Sequence, residues 1–431
     1  MPAPRKPARI TIRAYQVGFG DCLLLTFHYA SRKRHVLVDF GSTRRPEGAP
    51  RKLLNAVAKE IEKDCGNKLT AVIASHRHRD HVDGFRTNKK GTGPGDVIRA
   101  LKPEVVLQPW TEDPLAPRDA KSAVSGVTPF AFRKSLSSMH AAANDVLRQL
   151  GQIRHRIPKA MAGQLGFLGE DNLSNKSAVV NLMNMAPNEY LGYGSKTRLE
   201  KLLPGVKVHI LGPPTLKDTN TILRQRDEDE IEFWQLHQRF WQLRGSGSGS
   251  GRNGSRKPLF PSAARMTADA PNIAWFVSRL ANVHASNLLS IVRILDDAMN
   301  NTSLIVLFEV GKKLLLFPGD AQYENWMYAL DPSRPWRKKL KGVHVYKVGH
   351  HGSLNATPRT LWAGFSHATE NKKKGRLKTV LSTLRNVHGH EEQDTEVPRG
   401  TLVDALKLRS DLVTTESLSG PALSHVLELK V

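Results

Sequence analysis

The stretch from Ser75 to Phe85, SHRHRDHVDGF, sets His76, His78, Asp80 and His81 within six consecutive positions. Imidazole and carboxylate at this density suit zinc or another first-row ion. The absence of thiolate fits a hydrolytic site with open positions better than a closed structural one. If the chain runs extended out of a strand, alternation points His76 and His78 to one side. Asp80 and His81 then turn toward a neighbouring point as a helix begins, and the segment supplies two half-sites. The bland alternative is a solvated polar loop. Three remote features weigh against it: Asp39 ends HVLVD just before Gly41, Asp320 ends LLLFPGD, and His350 and His351 follow VHVYKVG. Each sets a metal-capable side chain directly after a buried strand.

The elements that must position these residues are legible from hydrophobic period and turn residues. ARITIRAYQVGFGDCLLLTFHY and RHVLVDFGS read as strands. RKLLNAVAKEIEKDC has helical spacing and a glycine stop at Gly66. LTAVIAS is a short β run ending at His76. GVKVHILGPP is a strand, TSLIVLFEVGKKLLLFPGDA a hairpin turning at VGKK, and AQYENWMYAL a helix start. GVHVYKVGHHGS and RLKTVLST are two further strands. SLSSMHAAANDVLRQLGQIRHRI in the middle reads as helix. The Gly/Ser tract 245–256 reads as a flexible loop, because it offers no side chains to bury. Strand alternating with helix, with reactive residues at strand ends, implies an α/β architecture. The chain is read as one domain over 1–431, with insertions at 87–203 and 215–299, the insertion being largely helical.

At 431 residues, with 39% hydrophobic and 24% charged side chains, the chain can bury a sizeable core. Cys22 and Cys65 are the only cysteines, which excludes a disulfide framework and a cysteine-rich zinc module. With no signal-like segment and no apolar run near the roughly 20 residues that span a bilayer, the expectation is a cytoplasmic protein without membrane contact. Charge is the unusual bulk property. Lys and Arg number 64 against 40 Asp and Glu, a net +24. Such a field draws polyanions, so nucleic acid is the expected partner; diffuse solvated charge is the alternative. The basic runs RPWRKKLK (334–341) and NKKKGRLK (371–378) flank the His350–His351 strand in sequence, and are expected to border the same mouth. The histidines at 140, 155, 209, 237 and 284 read as surface or packing residues.

With these motifs assembled, the chain resembles the metallo-β-lactamase superfamily of hydrolases, within it the ComEC-like and phosphorylcholine esterase branch. YQVGFGDCLLL, NNTSLIVLFEVGKKLLLFPGDA, KVGHHGS and RNVHGH carry the finer likeness, over roughly 10–85 and 300–410. The resemblance implies a four-layer αββα sandwich and a dinuclear centre, two zinc ions per chain being favoured, with manganese or iron(II) as alternatives. Carried over by position, His76 and His78 hold a first metal, Asp80 and His81 a second, Asp320 bridges, and His351 completes the second site. Asp39 orients a ligand histidine. His350 faces the substrate or protonates a leaving group, although the order of His350 and His351 is open to reversal. Where relatives carry a lone histidine, this sequence has Asn300-Asn301.

The chemistry implied is attack by a metal-bridging hydroxide on a phosphodiester, with Asp80, His350 and Asp39 in the catalytic machinery. Gly352 and Ser353 are placed to hold a phosphate. Asn386, His388 and His390 are candidate substrate contacts, or loop residues without such a role. Three readings follow: a nuclease acting on DNA or RNA, a hydrolase of small phosphodiesters or other esters, and a non-catalytic nucleic-acid-binding scaffold. The nearly complete ligand set argues against the third.

Overall fold

The computed structural model describes residues 6–113, 157, 176–215, 218–219, 300–372, 375–389, 391, 395–418 and 422–431. Two mixed sheets form the frame. The first holds β1 (Arg9–Tyr15), β2 (Cys22–His28), β3 (Lys33–Phe40), β4 (Ala71–Ile73), β5 (Val105–Pro109), β6 (Asn188–Leu191) and β13 (Ser424–Lys430), in the order β13-β1-β2-β3-β4-β5-β6. The second holds β7 (Val206–Gly212), β8 (Ile305–Val310), β9 (Lys313–Phe317), β10 (Val345–Lys347), β11 (Lys378–Leu381) and β12 (Asp411–Thr414), in the order β12-β11-β10-β9-β8-β7.

The period of two along each strand decides the layering. In β2, Leu23, Leu25 and Phe27 enter a core shared with Val306, Phe308 and Val310 of β8, and with Leu315 and Phe317 of β9. Intervening Cys22 and Leu24 face the other way, onto α1 (Leu53–Cys65), α3 (Pro94–Ala100) and α4 (Lys176–Met185). The second sheet repeats the arrangement. Ile305, Leu307, Leu314 and Leu316 pack outward on α5 (Tyr323–Leu330), α6 (Arg359–Gly364) and α7 (Gly400–Arg409). The result is helices, sheet, sheet, helices, with strands buried on both faces and therefore apolar at nearly every position.

The glycine stop behaves as the sequence suggests: Gly66 caps α1 at φ 57° and its N–H bonds to Lys63. The stretch 87–203, read from sequence as insertion, contributes α3, α4, β5 and β6 to the frame itself. The helix read over 135–157 (Ile157 apart), the Gly/Ser tract 245–256 and nearly all of 215–299 lie outside the described residues. Cys22 and Cys65 are both buried and free. Among the described residues no helix is long and apolar enough to cross a membrane.

From β3 to β6, and again from β9 to β12, neighbouring strands are parallel. Their C-terminal ends therefore collect at one edge of each sheet, the place where α/β folds assemble sites. The opposite edge carries His35, 5% exposed, whose Nδ1 is 3.0 Å from Thr26 Oγ1. Burial, with Lys33 nearby, holds His35 down to about 4. Its folded pKa thus lies below its unfolded value, so the unfolded chain binds the extra proton as pH falls. Stability is expected to decline from about pH 6.5 toward pH 4, by at most about 1.4 kcal/mol per pH unit for this one proton. Urea midpoints across that range should fall less steeply in His35→Gln; an unchanged slope would assign the acid sensitivity to other groups.

Candidate metal centre

The SHRHRDH segment leaves the C-terminal end of β4, crosses to its neighbour, and enters α2 (Arg79–Val82) with His78 as the preceding residue. Alternation along it is real. His76 and His78 turn inward, with His76 Nε2 2.9 Å from His78 Nδ1, while Arg77 bonds to Glu112 beyond β5. The turn needs a close approach to β3. A Cβ on Gly41 would stand 2.3 Å from the Asp80 carbonyl carbon, so only glycine admits the loop there.

Four of the expected ligands converge. Asp80, His81, Asp320 and His351 are all buried and present ligand atoms within 4.8 Å of one another. Asp320 Oδ2 is 3.0 Å from His81 Nε2 and 3.6 Å from His351 Nε2. His351 Nε2 is 2.8 Å from Asp80 Oδ2, and its Nδ1 donates to the Ser382 carbonyl at 2.9 Å. His76 and His78 form an adjoining pair, the His76 ring 4.2 Å from that of His81. The 2.9 Å between their ring nitrogens is near the roughly 3.3 Å that separates two nitrogen ligands around a tetrahedral ion. Asn300, fully buried, hydrogen-bonds to His78.

Electrostatics separate the two groups. Burial opposes protonation of His81, but Asp320, Asp80 and Asp39 outweigh it and raise its pKa well above the usual value. Burial opposes ionisation of Asp320, yet His81, His351 and His350 hold its carboxyl well below the usual range. Burial keeps His76 and His78 low, hence neutral with lone pairs available. A buried set of carboxylates and imidazoles whose atoms point at one space could bind a metal ion, and the nitrogen and oxygen donors fit a first-row divalent cation.

Behind the ligands sits Asp39, near the end of β3 with φ 55°. It accepts hydrogen bonds from Ser75 N–H at 2.7 Å, Ser75 Oγ–H at 2.8 Å and His81 Nδ1–H at 2.9 Å. That last bond fixes the His81 tautomer and aims Nε2 at Asp320. His350 and His351 also take left-handed backbone angles, φ 43° and 51°. Such residues cost about 1–3 kcal/mol each and persist where the surroundings hold them. Here the effect is to divide the pair: His351 is fully buried in the cluster, whereas His350 is a quarter exposed with Nε2 3.9 Å from Asp320. Burial, offset in part by Asp320, holds His350 down to about 4, so at neutral pH it is an uncharged imidazole.

The other sequence candidates divide. His388 lies at the edge of the cluster, its ring 4.2 Å from that of Phe19, which in turn is 4.3 Å from His351. It opens onto a cleft of about 570 Å³ lined also by Arg385, Asn386, Glu396, Asp404 and Lys407. Ser353 is buried, its N–H bonded to the His350 carbonyl. His390 lies outside the described residues, as do His140, His155, His237 and His284. His209 is a packing residue, bonded to Glu309 at 2.7 Å, with its ring tilted against that of Trp336 at 5.0 Å.

The described residues of the basic runs are not at this mouth. They lead into the N-terminal ends of β10 and β11, which run parallel to β9, whereas Asp320 and His350-His351 leave the C-terminal ends of β9 and β10. Residues adjacent in sequence across a parallel strand end up at opposite edges of the sheet. Part of the first run is also engaged in packing: Arg334 stacks 3.6 Å over the Tyr328 ring, and Lys339 pairs with Glu309.

Sequence reading passed over Ser75, Asp21 and Lys347. The signal for Lys347 was available, since a lysine closing the apolar run VHVYK has no reason to be buried without a partner. A second convergence, Asp21–Asp39–His81, surrounds Nδ1 of His81, which is already donated to Asp39, so the metal-facing nitrogen is Nε2. Compared with family models and with curated proteins, the chain matches none.

Proposed function

We propose that this protein is a metal-dependent hydrolase of phosphodiesters, built on the metallo-β-lactamase form of the four-layer sandwich. The observation that carries the reading is the convergence of Asp80, His81, Asp320 and His351 beside the His76–His78 pair, from three separate strand ends. When bound, a pair of divalent ions would supply an activated water and take up charge on a phosphoryl oxygen. Zinc is favoured by the donor set, with manganese or iron(II) as alternatives. The chain's own residues divide the remaining work. Asp39 keeps His81 oriented, His350 meets substrate at the mouth as a neutral hydrogen-bonding imidazole, and His388 leads to the cleft that Lys407 lines together with Arg385, itself paired with Glu416.

Two substrate classes stand within this reading. The net +24 supports DNA or RNA. The placement of the basic runs away from the mouth supports a small phosphodiester, because no polyanion track along them passes the cluster.

Protein loaded with zinc or manganese should hydrolyse bis(p-nitrophenyl) phosphate, and lose that activity on chelation. Single-stranded DNA, duplex DNA and RNA assayed alongside decide between the two classes. Metal-loaded protein that cleaves no phosphodiester would sink the proposal. Replacing exposed Lys338, Lys341 and Lys372 with Ser is expected to leave ester hydrolysis within about twofold. Nucleic-acid binding should become weaker and less salt-dependent, by nearly one unit of log–log slope per lost phosphate contact. A tenfold loss on the small ester would instead place these lysines at the reacting group.

A further inference from the structure

A buried ammonium stands against the back of the cluster. Lys347, the last residue of β10, is 2% exposed. Its Nζ pairs with Asp21, lies 3.7 Å from Asp320 Oδ1, and donates to the Gly319 carbonyl at 3.4 Å. Asp21 is also fully buried and is woven into the site by its backbone: its N–H donates to the Asp80 carbonyl at 2.9 Å, and its carbonyl accepts from Gly41 N–H at 3.0 Å.

A fixed cation beside a cation site opposes metal binding by simple repulsion, so it is not there to attract the ion. The geometry suggests another. Asp320 has two oxygens facing different ways. Oδ2 faces His81 and His351, at 3.0 and 3.6 Å. Oδ1 faces Lys347 and, among the described residues, accepts no hydrogen bond. Resting on the metal-centre reading above, we propose that Lys347, anchored by Asp21, is a positioning residue that engages one oxygen of Asp320. Asp320 then offers the metal cluster a single oxygen and is kept from turning to chelate one ion with both.

The alternative is a self-contained ion pair that merely fills a buried space. Paired substitution separates the two, because replacing both members of a buried pair by uncharged groups of similar volume commonly preserves folding. Cobalt(II)-loaded wild type, Asp21→Asn, and Asp21→Asn with Lys347→Met are compared by visible absorption and by competition with a chelator. Asp21→Asn alone leaves an amide oxygen to anchor the ammonium beside Asp320 and should retain the wild-type spectrum. The double variant should bind the same number of ions, but with shifted, weaker visible bands, as expected when a second carboxylate oxygen raises the coordination number. Its cobalt affinity should change by about 10- to 100-fold, the range for groups that orient a ligand.

A folded double variant with wild-type spectrum and affinity overturns the assignment. Wild type that binds no cobalt fails earlier, and takes the metal-centre reading down with it. If the methionine pair does not fold, Asp21→Asn with Lys347→Ala is read with and without n-propylammonium. The bands should shift without the amine and return with it; bands indifferent to the amine and matching wild type overturn the proposal.

Discussion

Asp320→Ala should empty the centre. Protein prepared with added zinc should carry close to a pair of ions per chain, and the variant should lose most of that content by elemental analysis, the more so when combined with His78→Ala. The reason is the position of Oδ2, which lies between His81 Nε2 at 3.0 Å and His351 Nε2 at 3.6 Å. Asp80 Oδ2, the other carboxylate oxygen here, is 2.8 Å from His351 Nε2 but 3.9 Å from His81 Nε2, so Asp320 is the carboxylate that reaches the His81 ring most closely at Nε2 among the described residues. Hydrolysis of a small phosphodiester should fall by at least about 1,000-fold, which corresponds to losing several kcal/mol of charge stabilisation. His81 should respond as well. Asp320 is the first of the carboxylates that raise its pKa, so without Asp320 the imidazole should hold its proton less firmly in metal-free protein. An NMR titration of the apo variant would detect this independently of activity. Full metal content in Asp320→Ala would remove the bridging assignment.

Asp39→Ala is expected to have the next largest effect, of a different kind. Asp39 touches no space where a substrate could sit; it is 1% exposed and receives Ser75 N–H, Ser75 Oγ–H and His81 Nδ1–H. Truncating it strands three buried donors and removes the partner of the His81 ring. Metal-free protein should lose about 3–5 kcal/mol of stability, the usual result of breaking one side of a buried pair. Metal affinity should fall about 10- to 100-fold, as for other groups that orient a ligand imidazole. Asp39→Asn distinguishes the two effects. It retains most of the volume and an acceptor for His81 but gives up the charge, so stability should recover more than affinity does. Equal recovery of both would mean that Asp39 acts on the fold alone.

Much of this site was legible before any fold was known. Alternation and short apolar runs located β2, β3, β8 and β9, and Gly66 marked the end of α1, because burial on one or two faces leaves a period that local sequence records. The position of Asp39, His76, Asp320 and His351 after such runs followed from the same pattern. A strand end is where a parallel sheet exposes side chains to a shared edge. The stretch 87–203 was harder to read. β5 and β6 are brief and lie far apart in the chain, and their membership of the first sheet is fixed only by pairing with β4 and with each other.

What the sequence by itself determined was the donor chemistry: histidine and carboxylate without thiolate, placed next to strands. What only the tertiary structure decided was direction and distance. It put His351 into the cluster and left His350 at the rim, through consecutive left-handed residues that no composition rule announces. It moved the basic runs to the far edge, because a parallel strand carries its two flanks to opposite ends of the sheet. And it buried Lys347 between Asp21 and Asp320, an arrangement of residues 326 and 27 positions apart in the chain, for which local sequence has no period to record.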